Sequence, residues 1–497
     1  MMYLVLFALQ LILGIATYLA AEYKFSQTLL VAGILAGVLY ASLAYYELKR
    51  EKWIISPLVA YLGISVLYIG SASIWAYLCD YWETGDYNVF QVGFLDIYNS
   101  RPYAVAYGII GSSFFYLGYH LVLNTRLLNL ATRIGKRTPD LMIPLPVLLL
   151  IIALAYFIRK APALLHIDFN VLGAISNNIA LYTTIGVFII LTSNVAYAGR
   201  KAIIKPAGWH LYLALLVALI DLRFNALRSG MRAPMMMLII FFAWGYLLQN
   251  NIFAKPQDSF RNWLKKSKSA LILASLSILT LLVIVPFGKQ IARGGSLPTE
   301  SEFTRNIIHW KDEFPNGGIW TLPARMAASS IKSLAACIEL REMVPPDRTV
   351  LYVVSYGVIP RLIWPEKPYV SQSASFTLFL EPTGEYGTDE TQSYSSTGLT
   401  AIGELYWSYG TIGVLVGMLI IGLAFGFTFT VFSYNLPLNP VRYVVVCVLV
   451  FSACKWFEAE ASAIYNYIIF IWVVFFPMLW MVTLWLPFTT VKTARAG

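Results

Sequence analysis

Three arginines lie close together in a segment that separates two apolar stretches of the sequence. They are Arg223, Arg228 and Arg232. Arg228 and Arg232 are four residues apart and would share one face of a helix that begins before Pro234, a residue tolerated in a first helical turn. Guanidinium groups bind phosphate oxygens through paired hydrogen bonds and keep their charge, so this pair could hold a diphosphate. Pairing with Asp221 or with lipid headgroups is the alternative.

A carboxylate, Glu404, stands in an apolar stretch at 396–413 that is rich in glycine and aromatic residues. A carboxylate that is shielded from water and close to a substrate hydroxyl group can accept its proton, so Glu404 is a candidate general base. A salt bridge with one of the arginines is the alternative. Tyr406 follows in the same stretch and is a further candidate for the site.

Other ionisable residues lie close to apolar segments, where such groups are functional candidates by default. Lys455 and Glu458 are three residues apart and could instead neutralise one another on a helix. His309 could accept a proton, although an exposed histidine without a role is the simpler interpretation. The remaining candidates for contacts with a substrate are Arg293, Arg361 and Lys367.

The sequence lacks the common signatures of nucleotide, metal and serine-hydrolase chemistry. It has no P-loop, no GxGxxG motif before a helix, no HExxH motif, no GxSxG motif and no DxD carboxylate pair. Its four cysteines form no CxxC motif and are predicted to be small buried residues; whether Cys79 and Cys337 form a disulfide is left open. We therefore predict no cofactor and no metal, with any chemistry carried by arginines and carboxylates.

The elements that must position these residues are membrane helices. The chain of 497 residues is 58% hydrophobic and only 12% charged, with a mean hydropathy of +0.66, so lipid must be its main solvent. A membrane span needs about 20 mostly apolar residues. Twelve windows qualify, and the first is interpreted as a retained span because no basic segment precedes it. They are 2–20, 28–48, 53–78, 102–124, 141–158, 179–198, 208–222, 234–249, 270–288, 410–433, 441–460 and 463–487.

The basic residues predict the orientation of these spans, since short cytoplasmic connections are enriched in lysine and arginine. For this reason the net charge of +10 indicates topology and not a nucleic-acid partner. Alternate connections are basic, which places both termini in the cytoplasm. The arginine cluster at 223–232 and Glu404 then lie outside, together with one long loop. The predicted organisation is spans one to nine at 1–288, a mostly helical extracytoplasmic loop at 289–397, and a re-entrant or interfacial segment with spans ten to twelve at 398–497.

Three segments resemble the signatures of bacterial oligosaccharide repeat-unit polymerases, the Wzy-type O-antigen and exopolysaccharide polymerases. They are Arg-Ser-Gly-Met-Arg at 228–232, Ile-Pro-Arg-Leu-Ile-Trp-Pro-Glu-Lys-Pro at 359–368, and Gly-Glu-Leu-Tyr-Trp-Ser-Tyr-Gly-Thr-Ile-Gly at 403–413. The resemblance covers the C-terminal half of the chain, in order. It implies an all-α polytopic protein of the bacterial inner membrane with a fold like that of the GT-C glycosyltransferases and the O-antigen ligases.

The resemblance also implies an inverting, metal-independent glycosyltransferase that polymerises repeat units linked to undecaprenyl diphosphate. Arg223, Arg228, Arg232 and Arg361 would then hold the diphosphate, and Glu404 would be the base. Expected partners are the lipid-linked oligosaccharides, membrane lipids, a chain-length regulator and a flippase. An O-antigen ligase, with His309 as its base, and a flippase or other transporter are the alternatives.

Overall fold

The computed structural model describes part of the chain, in segments from both halves of the sequence. They are 2–25, 27–51, 56–81, 91–92, 95–97, 99–138, 321–344, 346, 349–357, 359, 364, 372–373, 375–376, 399–434, 440–456, 460–477 and 480–481.

The described residues are mostly helical. In chain order the helices are α1 (Met2–Glu22), α2 (Thr28–Arg50), α3 (Pro57–Ser65), α4 (Ala72–Tyr81), α5 (Arg101–Leu123), α6 (Arg126–Arg137), α7 (Thr321–Met343), α8 (Val350–Gly357), α9 (Ala401–Ser433), α10 (Pro440–Cys454) and α11 (Ala461–Phe470). Two π-helical segments, Val66–Ser71 and Ile471–Phe475, follow α3 and α11 without interruption. The predicted all-α character has one small exception, since Gln91–Val92 pairs antiparallel with Leu95–Asp96 as strands β1 and β2.

By length and composition, five of the described helical stretches could cross a membrane. They are Met2–Glu22, Thr28–Arg50, Pro57–Leu78, Arg101–Leu123 and Ala401–Ser433. This confirms the prediction of a helical, membrane-embedded protein. The five windows from 141–158 to 270–288 lie outside the described residues, so the count of twelve spans stays a prediction.

Glycines bring α5 and α9 into close contact at the centre of the described bundle. A Cβ atom at Gly118 of α5 would meet the carbonyl oxygen of Leu419, and one at Gly422 of α9 would meet that of Phe115. Small residues permit such close approach of helix backbones, and van der Waals packing then stabilises the pair within lipid. The two helices therefore form a rigid support for the residues at their ends.

Contacts between helices define two ends of the bundle. At one end Tyr103 donates a hydrogen bond to Glu22 (2.8 Å) and Ser100 donates one to Glu339. We call this the carboxylate end, and it also contains Glu404 and Glu460. At the other end the ring of Tyr3 stacks on that of His120 at 5.5 Å. We call it the basic end, and it also contains Arg50, α6 and Arg442.

The basic end holds a buried network around Glu47. This carboxylate accepts hydrogen bonds from Tyr116 (2.9 Å) and His120 (3.0 Å) through Oε1, and its Oε2 forms an ion pair with Arg50 at 2.9 Å. Because each of these partners lies on α2 or α5, the network joins the two helices. Burying a carboxylate is tolerated when its charge is paired and its oxygens are hydrogen-bonded.

Arg442 joins elements from distant parts of the sequence at the same end. Its guanidinium donates to the carbonyl oxygens of Tyr434 (2.7 Å), Gly135 (2.9 Å) and Thr138 (2.6 Å). The last carbonyl groups of a helix have no partner within the helix, so they accept bonds from basic side chains. Arg442 therefore caps the C-terminal ends of both α6 and α9.

Candidate functional site

The candidate site begins at the first turn of α9. Thr400 caps this helix, because its Oγ1 accepts a hydrogen bond from the backbone N–H of Gly403 at 2.8 Å. The N–H of Ala401 donates to the carbonyl oxygen of Trp456, which fixes the start of α9 against the end of α10. A threonine at this position is a common N-terminal signal, since its side chain replaces a missing helical acceptor. Glu404 follows in the first turn.

The helix is broken at Gly410, whose backbone angles are φ +67° and ψ −152°. Essentially only glycine adopts this conformation, because a Cβ atom would clash with the backbone. A Cβ atom at Gly413 would meet the carbonyl oxygen of Leu405, and one at Gly417 would meet the Leu405 side chain. In a continuous helix Leu405 would lie about 12 Å from Gly413 and farther still from Gly417. Residues 401–409 therefore fold back against 411–433 and form a re-entrant helix.

Arg341 of α7 stabilises this re-entrant helix. Its Nη1 donates to the carbonyl oxygens of Tyr406 (2.8 Å) and Trp407 (2.7 Å), and its guanidinium lies 5.8 Å from the Tyr406 ring centroid. These carbonyl groups would otherwise have no helical partner, because the helix ends at Gly410. The guanidinium also lies beside Gly410, where a side chain would leave it little room. Arg341 thus links α7, which lies within the predicted loop, to the re-entrant helix.

Glu404 is fully buried at the carboxylate end. Its Oε2 accepts a hydrogen bond from the backbone N–H of Ser462 at 2.8 Å, at the first turn of α11. Its Oε1 has no hydrogen-bond partner within the described part of the chain. The partial positive charge of the α11 N-terminus favours a carboxylate here, but it is weaker than a full cation.

A second buried carboxylate, Glu460, adjoins the first. Its Oε1 accepts from the backbone N–H of Ser373 (2.6 Å) and its Oε2 from the hydroxyl group of Ser462 (3.2 Å). Ser462 therefore contacts both carboxylates. Because Ser373 also accepts a bond from the N–H of Leu399 (3.2 Å), it links this site to the residue before the Thr400 cap.

The arrangement of these groups suits proton transfer. Glu404 is buried, its Oε2 accepts a hydrogen bond from the backbone N–H of Ser462, and its Oε1 has no hydrogen-bond partner among the residues that the structure describes. A general base must reach the proton that it removes and must hold a fixed orientation while it does so. The salt bridge between Glu404 and an arginine, which the sequence offered as an alternative, is not formed among the described residues.

Cys337 lies next to Glu404 and is a free, fully buried thiol. A Cβ atom at Gly403 would lie 2.9 Å from its sulfur atom, so the two helices are in close contact here. Burial, and then the nearby Glu404, raise the pKa of the Cys337 thiol well above its usual range. A thiol that stays protonated is a poor nucleophile, so Cys337 is a packing residue.

The structure describes three of the residues that the sequence nominated for the site. Glu404 and Tyr406 lie together on the re-entrant helix, and the ring centroid of Tyr406 is 4.7 Å from that of Tyr107. Lys455 follows the end of α10, with its ammonium group 4.7 Å from the ring centroid of Phe451. The others lie outside the described residues: Arg223, Arg228, Arg232, Arg293, His309, Arg361, Lys367 and Glu458.

Sequence reasoning missed the roles of Arg341 and Ser462. Arg341 was one of many arginines in the long loop, and no local pattern distinguishes the one that caps a helix from the others. Glu460 lies two residues from Glu458 in the sequence, and no local pattern shows which of the two carboxylates will adjoin Glu404. A signal for Ser462 exists in principle, because Glu-Ala-Ser before an apolar run is typical of a helix start.

No family model, curated protein or solved structure matches the chain. By its described residues, the protein is a helical membrane protein with a re-entrant helix at one end of its bundle. The resemblance to polymerases is based on the three sequence motifs.

Proposed function

We propose that the protein polymerises oligosaccharide repeat units linked to undecaprenyl diphosphate, by inverting, metal-independent glycosyl transfer on the extracytoplasmic face of the membrane. The observation that carries the proposal is the state of Glu404. It is buried at the start of a re-entrant helix, it adjoins a second carboxylate, and its Oε1 has no hydrogen-bond partner in the described part of the chain. Such a group is costly to bury and is well suited to act as a base.

Glu404 takes the proton from the acceptor hydroxyl group in the proposed reaction. As the O–H bond breaks, the hydroxyl oxygen attacks the anomeric carbon of the donor glycan from the face opposite the diphosphate. The bond between that carbon and the phosphate oxygen breaks, and its electron pair leaves with the diphosphate. The configuration at the carbon inverts, and the proton resides on Glu404 until it is released to water.

The arginines supply the electrostatic part of this proposal. The diphosphate gains negative charge as it leaves, and guanidinium groups that are already in place stabilise that charge. Arg228, Arg232 and Arg361 are assigned this role from the sequence motifs, with Arg223 as an additional contact. The long loop would exclude water, which would otherwise hydrolyse the donor. Ser373 and Arg341 lie within the predicted loop and contact Glu460 and the re-entrant helix, which supports this part of the proposal.

The proposal is tested by replacing Glu404→Gln in the native host and separating the surface glycan by length. We expect the ladder to collapse to single repeat units, with a decrease of about 100-fold or more in longer products, because general-base catalysis contributes about that much. Glu22→Gln is the matched control, since it removes an exposed carboxylate from the same end. Its ladder should be unchanged, and immunoblots must show equal amounts of both variants.

Other results would identify the alternatives. A full ladder in the Glu404→Gln strain contradicts the proposal. Full-length polymer that accumulates on its lipid carrier without transfer would indicate a ligase. Repeat units that stay on the cytoplasmic face would indicate a flippase.

A further inference from the structure

Helix α6 carries a concentrated positive charge that the proposed reaction does not use. Its exposed basic residues are Arg126, Arg133, Lys136 and Arg137, and its sequence contains no acidic residue. Within the part of the chain that the structure describes, none of the four forms a salt bridge. Because the four side chains are exposed, their charge can reach an external anionic partner.

The same helix also exposes apolar side chains. Ala131 and Gly135 are buried, whereas Leu127 and Leu130 are 38% and 46% exposed. With 3.6 residues per turn, the two leucines lie to one side of the buried face, and the basic residues lie beyond them. A helix with an apolar stripe beside a cationic face is typical of one that lies in the plane of a membrane surface.

The attachment of α6 to the bundle fixes this orientation. A Cβ atom at Gly135 would lie 2.8 Å from the carbonyl oxygen of Val431, so α6 packs directly against the end of α9. Arg442 donates to Gly135 and Thr138 and thereby holds the C-terminal end of α6. Because α9 is one of the helices long and apolar enough to cross a membrane, its end places α6 at the level of the lipid headgroups.

We propose that α6 is a binding surface for the headgroups of anionic phospholipids. The leucines enter the boundary between headgroups and acyl chains, and the four basic side chains contact phosphate groups. Four cations on a helix whose own sequence has no acidic residue match a negative surface, and each such charge strengthens attraction to an anionic membrane several-fold. An acidic protein would not account for the two exposed leucines beside the charge.

The test uses the full-length protein in detergent micelles, titrated with fluorescent phosphatidylglycerol or phosphatidylcholine. We expect tighter binding of phosphatidylglycerol, which weakens at high salt because the contacts are partly exposed. Arg133→Gln should weaken it about fivefold, and Arg133→Gln with Lys136→Gln about 25-fold, since each basic residue contributes about that factor. Lys24→Gln is the matched control, because Lys24 is an exposed cation at the carboxylate end.

Thermal unfolding must show that the variants are folded. The proposal is wrong if the double variant binds phosphatidylglycerol as tightly as the unchanged protein, or if Lys24→Gln weakens binding equally. It is also wrong if α6 instead retains an acidic protein in purification while both lipids bind equally.

Discussion

Two buried carboxylates, Glu47 and Glu404, occupy opposite ends of the same helical bundle in very different surroundings. Glu47 receives a hydrogen bond from Tyr116, another from His120 and an ion pair from Arg50. Glu404 receives one backbone hydrogen bond from Ser462, and Glu460 is close to it. Glu47 has a cationic partner where it is buried, whereas Glu404 has none among the described residues.

The difference between their partners indicates that Glu47 is a structural residue and that Glu404 is a candidate for a reactive one. An unpaired buried charge destabilises a fold, so it persists only where another requirement retains it. Glu47 has a structural role, because its contacts join α2 to α5. Among the described residues, no comparable network of contacts explains why Glu404 is buried. Its Oε1 has no hydrogen-bond partner there, and a proton acceptor needs such an oxygen. Burial of a carboxylate therefore indicates little about function until its partners are known.

The largest expected effect comes from Glu47→Ala, which leaves the buried donors Tyr116 and His120 without their acceptor and removes the carboxylate from the partly exposed Arg50. Each buried donor that loses its acceptor typically lowers the free energy of unfolding by about 1–3 kcal/mol, so the loss for two donors should be about 2–6 kcal/mol. Thermal or denaturant unfolding of the purified protein in detergent measures the loss. Glu404→Ala, examined in parallel, should lose clearly less. Equal losses would remove the distinction between the two carboxylates.

A smaller effect is expected from Gly410→Ala, which disturbs the re-entrant helix that carries Glu404 and leaves the Glu47 network intact. The positive φ angle and the adjacent Arg341 guanidinium both oppose a side chain. The substitution should lower the free energy of unfolding by about 1–3 kcal/mol and shorten the glycan ladder, because it displaces the re-entrant helix. Gly63→Ala is the matched control, since Gly63 lies within α3 and has open space around it. An unchanged ladder in Gly410→Ala would contradict the role given to the break.

A third carboxylate, Glu51, follows α2 beside the Glu47 network and adds a dependence on pH to the comparison. Burial raises the pKa of Glu51 from 4.5 to about 8, against the opposing effects of Ser56 and Arg50. A raised pKa means that the folded state holds the proton more tightly than the unfolded state. The associated stability is full below pH 4.5 and is lost as the pH rises through about 8.

Unfolding temperatures measured at several pH values across that window test this statement. The unchanged protein should become less stable from acid to alkaline pH, and Glu51→Gln should reduce that slope. An equal change of unfolding temperature with pH in Glu51→Gln and in the unchanged protein would contradict the prediction.

The helices that cross the apolar core were predictable because their signal is local. The windows 2–20, 28–48 and 102–124 correspond to Met2–Glu22, Thr28–Arg50 and Arg101–Leu123. In each case a run of apolar residues with the length of a membrane core determines the element. Glu404 was also predictable as a candidate, because a single carboxylate in an apolar stretch is conspicuous.

The partners of these residues were not predictable, because they come from distant parts of the chain. Nothing near Glu47 shows that Tyr116 and His120 will lie against it, and nothing near Tyr406 indicates Arg341. The break at Gly410 had no unique signal either. Glycines are frequent in this apolar stretch, and most of them serve close packing, as Gly413 and Gly417 do.

The position of Arg442 in the chain has a consequence for synthesis. Its acceptor Thr138 precedes it by 304 residues, so the end of α6 leaves the ribosome long before its guanidinium partner exists. At about 5–20 residues per second, the interval is roughly 15–60 s. During that time the terminal carbonyl groups of α6 must be satisfied by water at the membrane surface. The last third of the chain then completes a helix end that belongs to the first third.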